Sequence, residues 1–518
     1  MHRDKIRLYI FYIGIILTII GLPFSRALIS FGQVVLGALF IFDVNLVSKL
    51  KIFIKDKAAL SFIAIYLLWI VGILYSSDIQ YALSDIRTKL PLLIFPLVFA
   101  TEKPLSKNEF TFFAILFSAT VIASVSTSLY IYYVNNLSDY RDAFVFVSHI
   151  RVSLMAMIST TILIFIGLYR NDIKMKIRIF MLIGGLFLIA SQFIFSILSG
   201  IFIFLVLLFV VFIMLIYKKV NIKSIVISLS VLIVFVVSMS YLLFSTIKDY
   251  NYVGDIDLNK LDTVSALGNK YEHKPYEFQI ENGNYIGIYI QRYEMNQEWS
   301  KRSNLAFDGV DNRDQVLQIT LIRYLNSKGL RKDAQGISAL SDEDIINIEN
   351  GIANFEFAKR LSFKKRIYRL IWQYNIYIQN KESLNSGHTI LQRLELWQVG
   401  MELIALNPVF GIGTGDINNA YADILSQRSS SLAGNGLRSH NQYISTTVSL
   451  GAIGLVILLF SMYYPAYLSG LYYNPLFVLF IVIMSMSMLW EDTIESQVGV
   501  TIYAFVYMFY MYSDRSEK

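Results

Sequence analysis

The sequence predicts an all-α polytopic membrane protein, and three observations carry that prediction. Charged residues make up only 16% of the 518-residue chain against 55% hydrophobic ones, where soluble domains carry about 25% charged residues. Mean hydropathy is +0.53 over the whole length, which excludes soluble, disordered and collagen-like classes. Apolar runs of roughly 17–25 residues, enough to cross a bilayer, recur along the chain. They fall at 7–22, 28–46, 58–75, 110–134, 152–169, 178–198, 200–217, 222–244, 441–462, 473–490 and 496–512. A shorter stretch, 90–100, is interrupted by Pro91 and Pro96. It counts as a span because the topology needs one there, for a total of about 12.

Orientation follows from the positive-inside rule. With a cytoplasmic N-terminus, the connections on that side hold 18 Lys and Arg, among them Arg7, Lys49, Lys103, Arg170, Lys218 and Arg515. The short loops opposite hold only Arg26, Arg87, Lys89, Arg141 and Arg151. Both termini are therefore expected in the cytoplasm. The one long polar segment, 245–439, then lies outside the cytoplasm and carries the remaining 22 basic residues. The expected domains are 1–244 with nine spans, 245–439 as an external domain, and 440–518 with three spans. The first apolar run lacks a small-x-small cleavage pattern and reads as a retained span.

A net charge of +7 is too mild to argue for nucleic acid. Zero cysteines exclude disulfides, thiolate catalysis and Cys-ligated zinc. A polysaccharide or lipid transporter is the rival of a different class. Unequal halves and span centres nearly free of ionisable residues weigh against it.

Within the long segment, 285–290 (YIGIYI) alternates Tyr and Ile like short strands. Helices are expected at 315–325 and at 345–358, the second behind a capping-box-like start at Ser341-Asp342-Glu343-Asp344. The aromatic stretch 366–378 is amphipathic. It suits either the membrane interface or packing on its own domain. In 390–406, Ile390, Leu391, Leu394, Trp397, Met401 and Ile404 share one helical face, with Arg393 at its edge. Pro408 and Gly411, Gly413 and Gly415 end that helix in NPVFGIGTGD. The glycines read as a plain turn, with close approach to a phosphate as the alternative. No strand precedes them, so no dinucleotide site is implied. Arg438-Ser439-His440-Asn441 then leads directly into an apolar span, which puts a His beside an Arg at the outer membrane boundary. His2, His149, His273 and His388 show no ligand spacing, and no metal or other cofactor is expected. Glu491, Asp492 and Glu495 share the last outer loop. They read as a solvated turn; orienting His440 or binding sugar hydroxyls is the alternative.

QRLELWQVGMELIALNPVFGIGTGD followed by RSHNQYISTTVSLGAIGL resembles the O-antigen ligase and polymerase superfamily. The loop segments TLIRYLNSKGLRKDA and SDEDIINIENGIAN are similar to a Bacteroidetes-type version of it. The resemblance implies a GT-C-like helical fold in the bacterial inner membrane, with a large, mostly helical periplasmic loop. It implies inverting, metal-independent transfer of a glycan from an undecaprenyl diphosphate carrier to an acceptor hydroxyl. In ligases the acceptor is lipid A–core; in polymerases it is another carrier-linked repeat. His440 matches the family's HN-motif histidine, and Arg393 the arginine opening its "R…W" helix. Arg151, in VSHIRVSLMAM, resembles an earlier periplasmic arginine. Where many members carry Ser-Arg, residues 196–201 read SILSGI. The resemblance leaves that diphosphate contact to be supplied elsewhere, with Arg323 or Arg438 as candidates.

The chemistry fits these residue types. A glycan on a diphosphate lipid is already activated. Its transfer needs a base for the acceptor hydroxyl, a role that His serves near neutral pH. It also needs cations for the departing diphosphate, and arginine offers bidentate, permanently charged donors. The alternatives to these roles are a His440 that only caps a span, an Arg393 that snorkels to headgroups, a topological Arg151 and an Arg438 that anchors the loop.

Overall fold

The computed structural model describes residues 2–135, 137, 139–254, 256–359, 362–379, 389–434 and 436–513. It is 72% helical, and the described residues hold a single two-stranded sheet, residues 280–281 paired with 284–285. The helices in chain order are α1 (His2–Phe24), α2 (Arg26–Ile41), α3 (Leu46–Lys55), α4 (Lys57–Gly72), α5 (Ile79–Thr88), α6 (Pro91–Phe99) and α7 (Lys107–Val134). Next come α8 (His149–Tyr169), α9 (Met175–Ile194), α10 (Leu198–Tyr217) and α11 (Ile222–Asn251). The polar segment contains α12 (Arg292–Trp299), α13 (Leu317–Ser327), α14 (Ala334–Ser338), α15 (Asp342–Glu349), α16 (Phe355–Ala358) and α17 (Phe363–Gln379). The chain ends with α18 (Thr389–Leu406), α19 (Ile417–Gln427), α20 (Gln442–Leu468), α21 (Pro475–Trp490) and α22 (Gln497–Met511).

Eight of the described helices are long and apolar enough to cross a membrane, and α2 with α3 would make a ninth as a pair bent by 104°. The shorter α21 and α22 are equally apolar. The all-α polytopic class is therefore the observed one. Helix ends follow local chemistry. Asp56 caps α4 through the Ala58 and Ala59 N–H groups, and Ser106 with Glu109 forms a capping box on α7. Asn474 caps α21, with Pro475 at its first position.

Two compact units emerge: Met1–Leu232 with Leu384–Lys518, and Ile233–Ser383. The boundary falls at 383/384, so α18 and α19 pack with the membrane helices. At the centre of that helical unit lies α22, apolar all round and buried from Val498 to Met511.

One end of the unit is fixed by Arg7, which pairs with Asp43 and Glu102, and by Lys49, 2.5 Å from the same Glu102. Tyr512, just after α22, donates to Asp56 at 2.7 Å and accepts from the Leu105 N–H at 3.1 Å. The opposite end holds Lys89, 2.6 Å from Glu495, which lies just before α22. Residues 89–105 therefore run the length of α22. The nine-residue α6 alone would cover only about 14 Å.

The loop unit packs around Trp299, Leu317, Leu321, Leu325, Ile337 and Ile348. Its Ser341 capping box forms as expected, with Asp344 as the reciprocal partner. Two local expectations are corrected. The 285–290 stretch is mostly turn: only Tyr285 pairs within the two-stranded sheet, and Tyr289 takes a left-handed backbone with φ +55° that breaks an extended run. The helix expected over 345–358 breaks at Gly351, whose φ is +70°, and restarts behind the Asn354 cap. Helix α17 packs on its own unit through Ile367 and Tyr368.

Candidate functional site

The end of the helical unit that carries Lys89 gathers four of the five residues singled out in the sequence. His440 sits two residues before Gln442, the first residue of α20, whose first turn is capped by Asn441 Oδ1 at 3.0 and 3.1 Å from the Tyr443 and Ile444 N–H groups. That cap gives the His-Asn pair its physical meaning: the Asn fixes where the helix begins, and the His is held on its rim. The His440 backbone is left-handed, with φ +49°, which is uncommon for a non-glycine residue. Three hydrogen bonds hold the segment there. The His440 N–H donates to Asp492 Oδ2 at 3.1 Å, the Trp397 indole N–H donates to the Ser439 carbonyl at 2.8 Å, and Ser439 Oγ donates to the Asn441 carbonyl at 2.9 Å. Among the described residues the imidazole itself has no hydrogen-bond partner.

Arg393, one turn before Trp397 on α18, reaches Glu491 Oε1 at 3.1 Å. Arg151, at the start of α8, reaches Glu491 Oε2 at 3.3 Å and Ser496 Oγ at 3.0 Å. Arg438 donates to Asn418 Oδ1 at 2.8 Å and to Glu495 Oε2 at 3.1 Å, over the ring of Tyr81. Arg323 belongs to the loop unit. There Glu281 takes it bidentately at 3.0 Å twice, and Trp372 covers it at 3.4 Å.

The acidic turn after α21 is not solvated. Glu491 and Asp492 are each 8% exposed, and this turn organises the cluster. Glu491 joins Arg151 to Arg393. Asp492 joins His440 to Ser445, whose hydroxyl lies 2.7 Å from Oδ1. Glu495 joins Arg438, Lys89 and Gln442. Burial pushes the Asp492 carboxyl up from its ordinary range, and nearby Glu495 adds to the effect. Burial alone would raise Glu495 too, but Lys89 and Arg438 outweigh it and hold its carboxyl at about 2.

Lys89 was legible in the sequence only as a loop charge. In the structure it is fully buried between Asp85, at 2.5 Å, and Glu495. Its burial and the acidic turn's role are tertiary facts that no local motif announces.

The glycine-rich turn has a packing explanation. Gly411 has φ +71°, and a Cβ there would meet the Ser449 carbonyl carbon at 2.4 Å. Gly451 breaks α20 with φ +66°, and a Cβ there would meet the Val409 carbonyl oxygen at 2.1 Å. The NPVFG turn thus seats into the break of α20. Asp416, at the end of the same motif, accepts from the Ser77 and Asp78 N–H groups at 2.8 Å and secures the link into α5. The apolar face expected on 390–406 is corrected in part: Leu391 is buried as expected, but Leu394 and Met401 are exposed, and α18 buries Leu396, Val399 and Leu403 in their place. Apolar residues line both sides of this helix, so periodicity alone did not choose between them.

His273 bonds within the loop unit to the Asp262 carbonyl at 3.0 Å. His149 packs edge-on against Tyr140. The side chain of His2 and all of His388 lie outside the described residues. No three His, Asp or Glu side chains among the described residues form a metal-binding group.

Fold and site together define a multi-pass helical membrane protein with a histidine-bearing cluster of arginines, a lysine and carboxylates at one end of its helical unit. Residues 343–459 match the family model described as O-antigen ligase, which supports the O-antigen ligase superfamily for that part of the chain. The match contains Arg393, Arg438 and His440, while Arg151, Lys89 and the acidic turn lie outside it. No curated protein shows significant similarity to the chain.

Proposed function

We propose that the protein transfers a glycan from an undecaprenyl diphosphate carrier to an acceptor hydroxyl at the periplasmic face, with lipid A–core or a similar glycan as acceptor. The observation that carries this reading is the shared Glu491. It holds Arg151 and Arg393 as neighbours while satisfying only part of each guanidinium. Two arginines on one carboxylate leave a net positive charge with free N–H donors, suited to a diphosphate leaving group.

His440 Nε2 or Nδ1 takes the proton of the acceptor hydroxyl as its oxygen attacks the anomeric carbon. The bond from that carbon to the diphosphate oxygen breaks, and its electron pair leaves with the diphosphate. Attack opposite the leaving group inverts the anomeric centre. The residues named supply base and charge stabilisation without calling on a metal. Arg438 and Lys89, both tied to Glu495, keep the His440 segment in register. In this reading both termini lie in the cytoplasm, and the loop domain, with Arg323 in a structural role, lies in the periplasm.

The test reconstitutes the purified protein in bilayers with a carrier-linked glycan. Transfer to lipid A–core is the expected result; extension of a second carrier-linked repeat makes the protein a polymerase. His440→Ala is expected to abolish either. Transfer retained in His440→Ala removes the base assignment. Movement of the carrier-linked glycan across the bilayer without transfer favours the transporter.

A further inference from the structure

A groove of about 770 Å³ lies between α2, the α5–α6 connection and the start of α22. Its walls along the helices are apolar, with Val34, Ile41 and Phe42 on one side and Ile94 on the other. Its polar end adjoins the histidine-bearing cluster along two stretches of chain. Gln497, at that end, follows Ser496, the partner of Arg151. Leu90, also lining the groove, follows Lys89, the partner of Glu495. From Ser30 to Phe42 the groove follows thirteen residues of chain, or about 18 Å at the helical rise. That is more than half of a hydrocarbon core of about 30 Å.

Two further features distinguish it from an ordinary crevice between helices. Gly37 lines it, and a Cβ built there would meet nothing within 4 Å. The other glycine of α2, Gly32, is needed for close packing: its Cβ would strike Thr18 Oγ1 at 2.5 Å. A mid-helix glycine costs roughly 0.5–1 kcal/mol relative to alanine. At Gly37 no protein contact explains that cost, and the effect of the missing side chain is to leave the groove open. Arg87 stands exposed at the polar end with no ion pair or hydrogen bond from its guanidinium to any described residue.

We infer that this groove holds the proximal isoprene units of the donor's lipid chain, with Arg87 beside its phosphate. The inference rests on the carrier-dependent transferase reading above. A diphosphate held by Arg151 and Arg393 must pass its chain into the bilayer, and the groove starts one residue from Arg151's partner. Charge complementarity and this continuity assign the groove to the donor lipid; a bulk phospholipid is the competing occupant.

The experiment compares Gly37→Phe with the wild-type full-length protein on two donors, one carrying the undecaprenyl chain and one a short, water-soluble prenyl chain. A Cβ at Gly37 meets no atom within 4 Å, so a larger side chain there begins in open space on the groove wall. KM for the long-chain donor is expected to rise at least tenfold, with kcat/KM for the short-chain donor within twofold of wild type. Val34→Trp, from the same wall, is expected to reproduce Gly37→Phe. Unchanged KM for the long-chain donor overturns the inference and leaves the groove to bulk lipid. Equal loss with both donors also overturns it. A wild-type protein that transfers from neither donor defeats the transferase reading itself, a result distinct from an active wild type indifferent to Gly37→Phe.

Discussion

Arg323 and the Arg151–Arg393 pair are all held by glutamates, in different proportions. Glu281 gives both oxygens to Arg323 at 3.0 Å, and Trp372 seals the guanidinium face at 3.4 Å. Glu491 gives one oxygen to each of two arginines, at 3.1 and 3.3 Å. The first arrangement is neutral and closed. The second keeps one positive charge and leaves Arg393 Nε and Nη1 and Arg151 Nη2 without partners among the described residues. An arginine's place in the sequence therefore does not by itself suit it to bind phosphate; the ratio of cations to carboxylates around it decides.

The sharpest way to break this comparison is to remove one arginine of each kind. Arg393→Ala takes away a donor to the leaving group and is expected to lower kcat about 10²–10³-fold, with the thermal midpoint little changed. Arg323→Ala leaves Glu281, which is fully buried, without its counter-ion. Breaking such a pair costs about 3–5 kcal/mol, so the thermal midpoint falls while kcat per folded molecule is retained. Turnover and melting measured on the same detergent preparations separate the two. An inactive but stable Arg323→Ala, or an active Arg393→Ala, would reverse the assignment.

The carboxylates give a smaller and subtler contrast. Glu491→Gln frees both arginines from a charge that competes with the diphosphate but loosens their spacing. Donor KM is expected to stay level or fall, and kcat to drop about tenfold through lost positioning. Glu281→Gln is expected to lower stability alone. A Glu491→Gln enzyme with raised KM and unchanged kcat would mean that Glu491 faces the substrate directly.

Much of this was legible in the sequence. Hydropathy marked the long helices, and Ser341 and Pro408 marked helix boundaries, because these signals depend on neighbours in the chain. His440, Arg393 and Arg151 stood out through the family resemblance and Arg438 as the arginine beside His440, and the fold gathers all four. Glu491, Asp492 and Glu495 looked like a solvated turn because nothing local shows that Arg151, from α8, and Lys89, from the α5–α6 connection, converge on them. Asn354 and Gly351 interrupt a run whose apolar spacing is continuous, so periodicity joined two helices that backbone geometry keeps apart. The face buried by α18 was missed for the same reason that α18 is unusual: apolar residues lie on both of its sides, and only its partners choose between them.

A third way of holding a cation completes the series. Lys332 is 3% exposed, and its ammonium reaches only neutral acceptors, Asn326 Oδ1 at 2.7 Å and the Tyr285 carbonyl at 3.1 Å. Burial without a carboxylate pushes its pKa down to about 7. The unfolded chain keeps the ordinary lysine value of about 10.4. Below pH 7 both states are protonated, and the folded state bears the full cost of a buried charge. Between pH 7 and 10 the unfolded state binds more protons than the folded one, so stability rises with pH. Lys332→Met removes this dependence. The variant is expected to melt above wild type at pH 7, with a gap on the order of 1–2 kcal/mol that narrows by pH 9. Arg323→Ala, whose partner is a carboxylate, is expected to show no such convergence over the same range. Parallel melting curves for wild type and Lys332→Met from pH 7 to 9 would mean that Lys332 keeps its proton in the folded state, and that neutral oxygens alone can hold a buried cation in this unit.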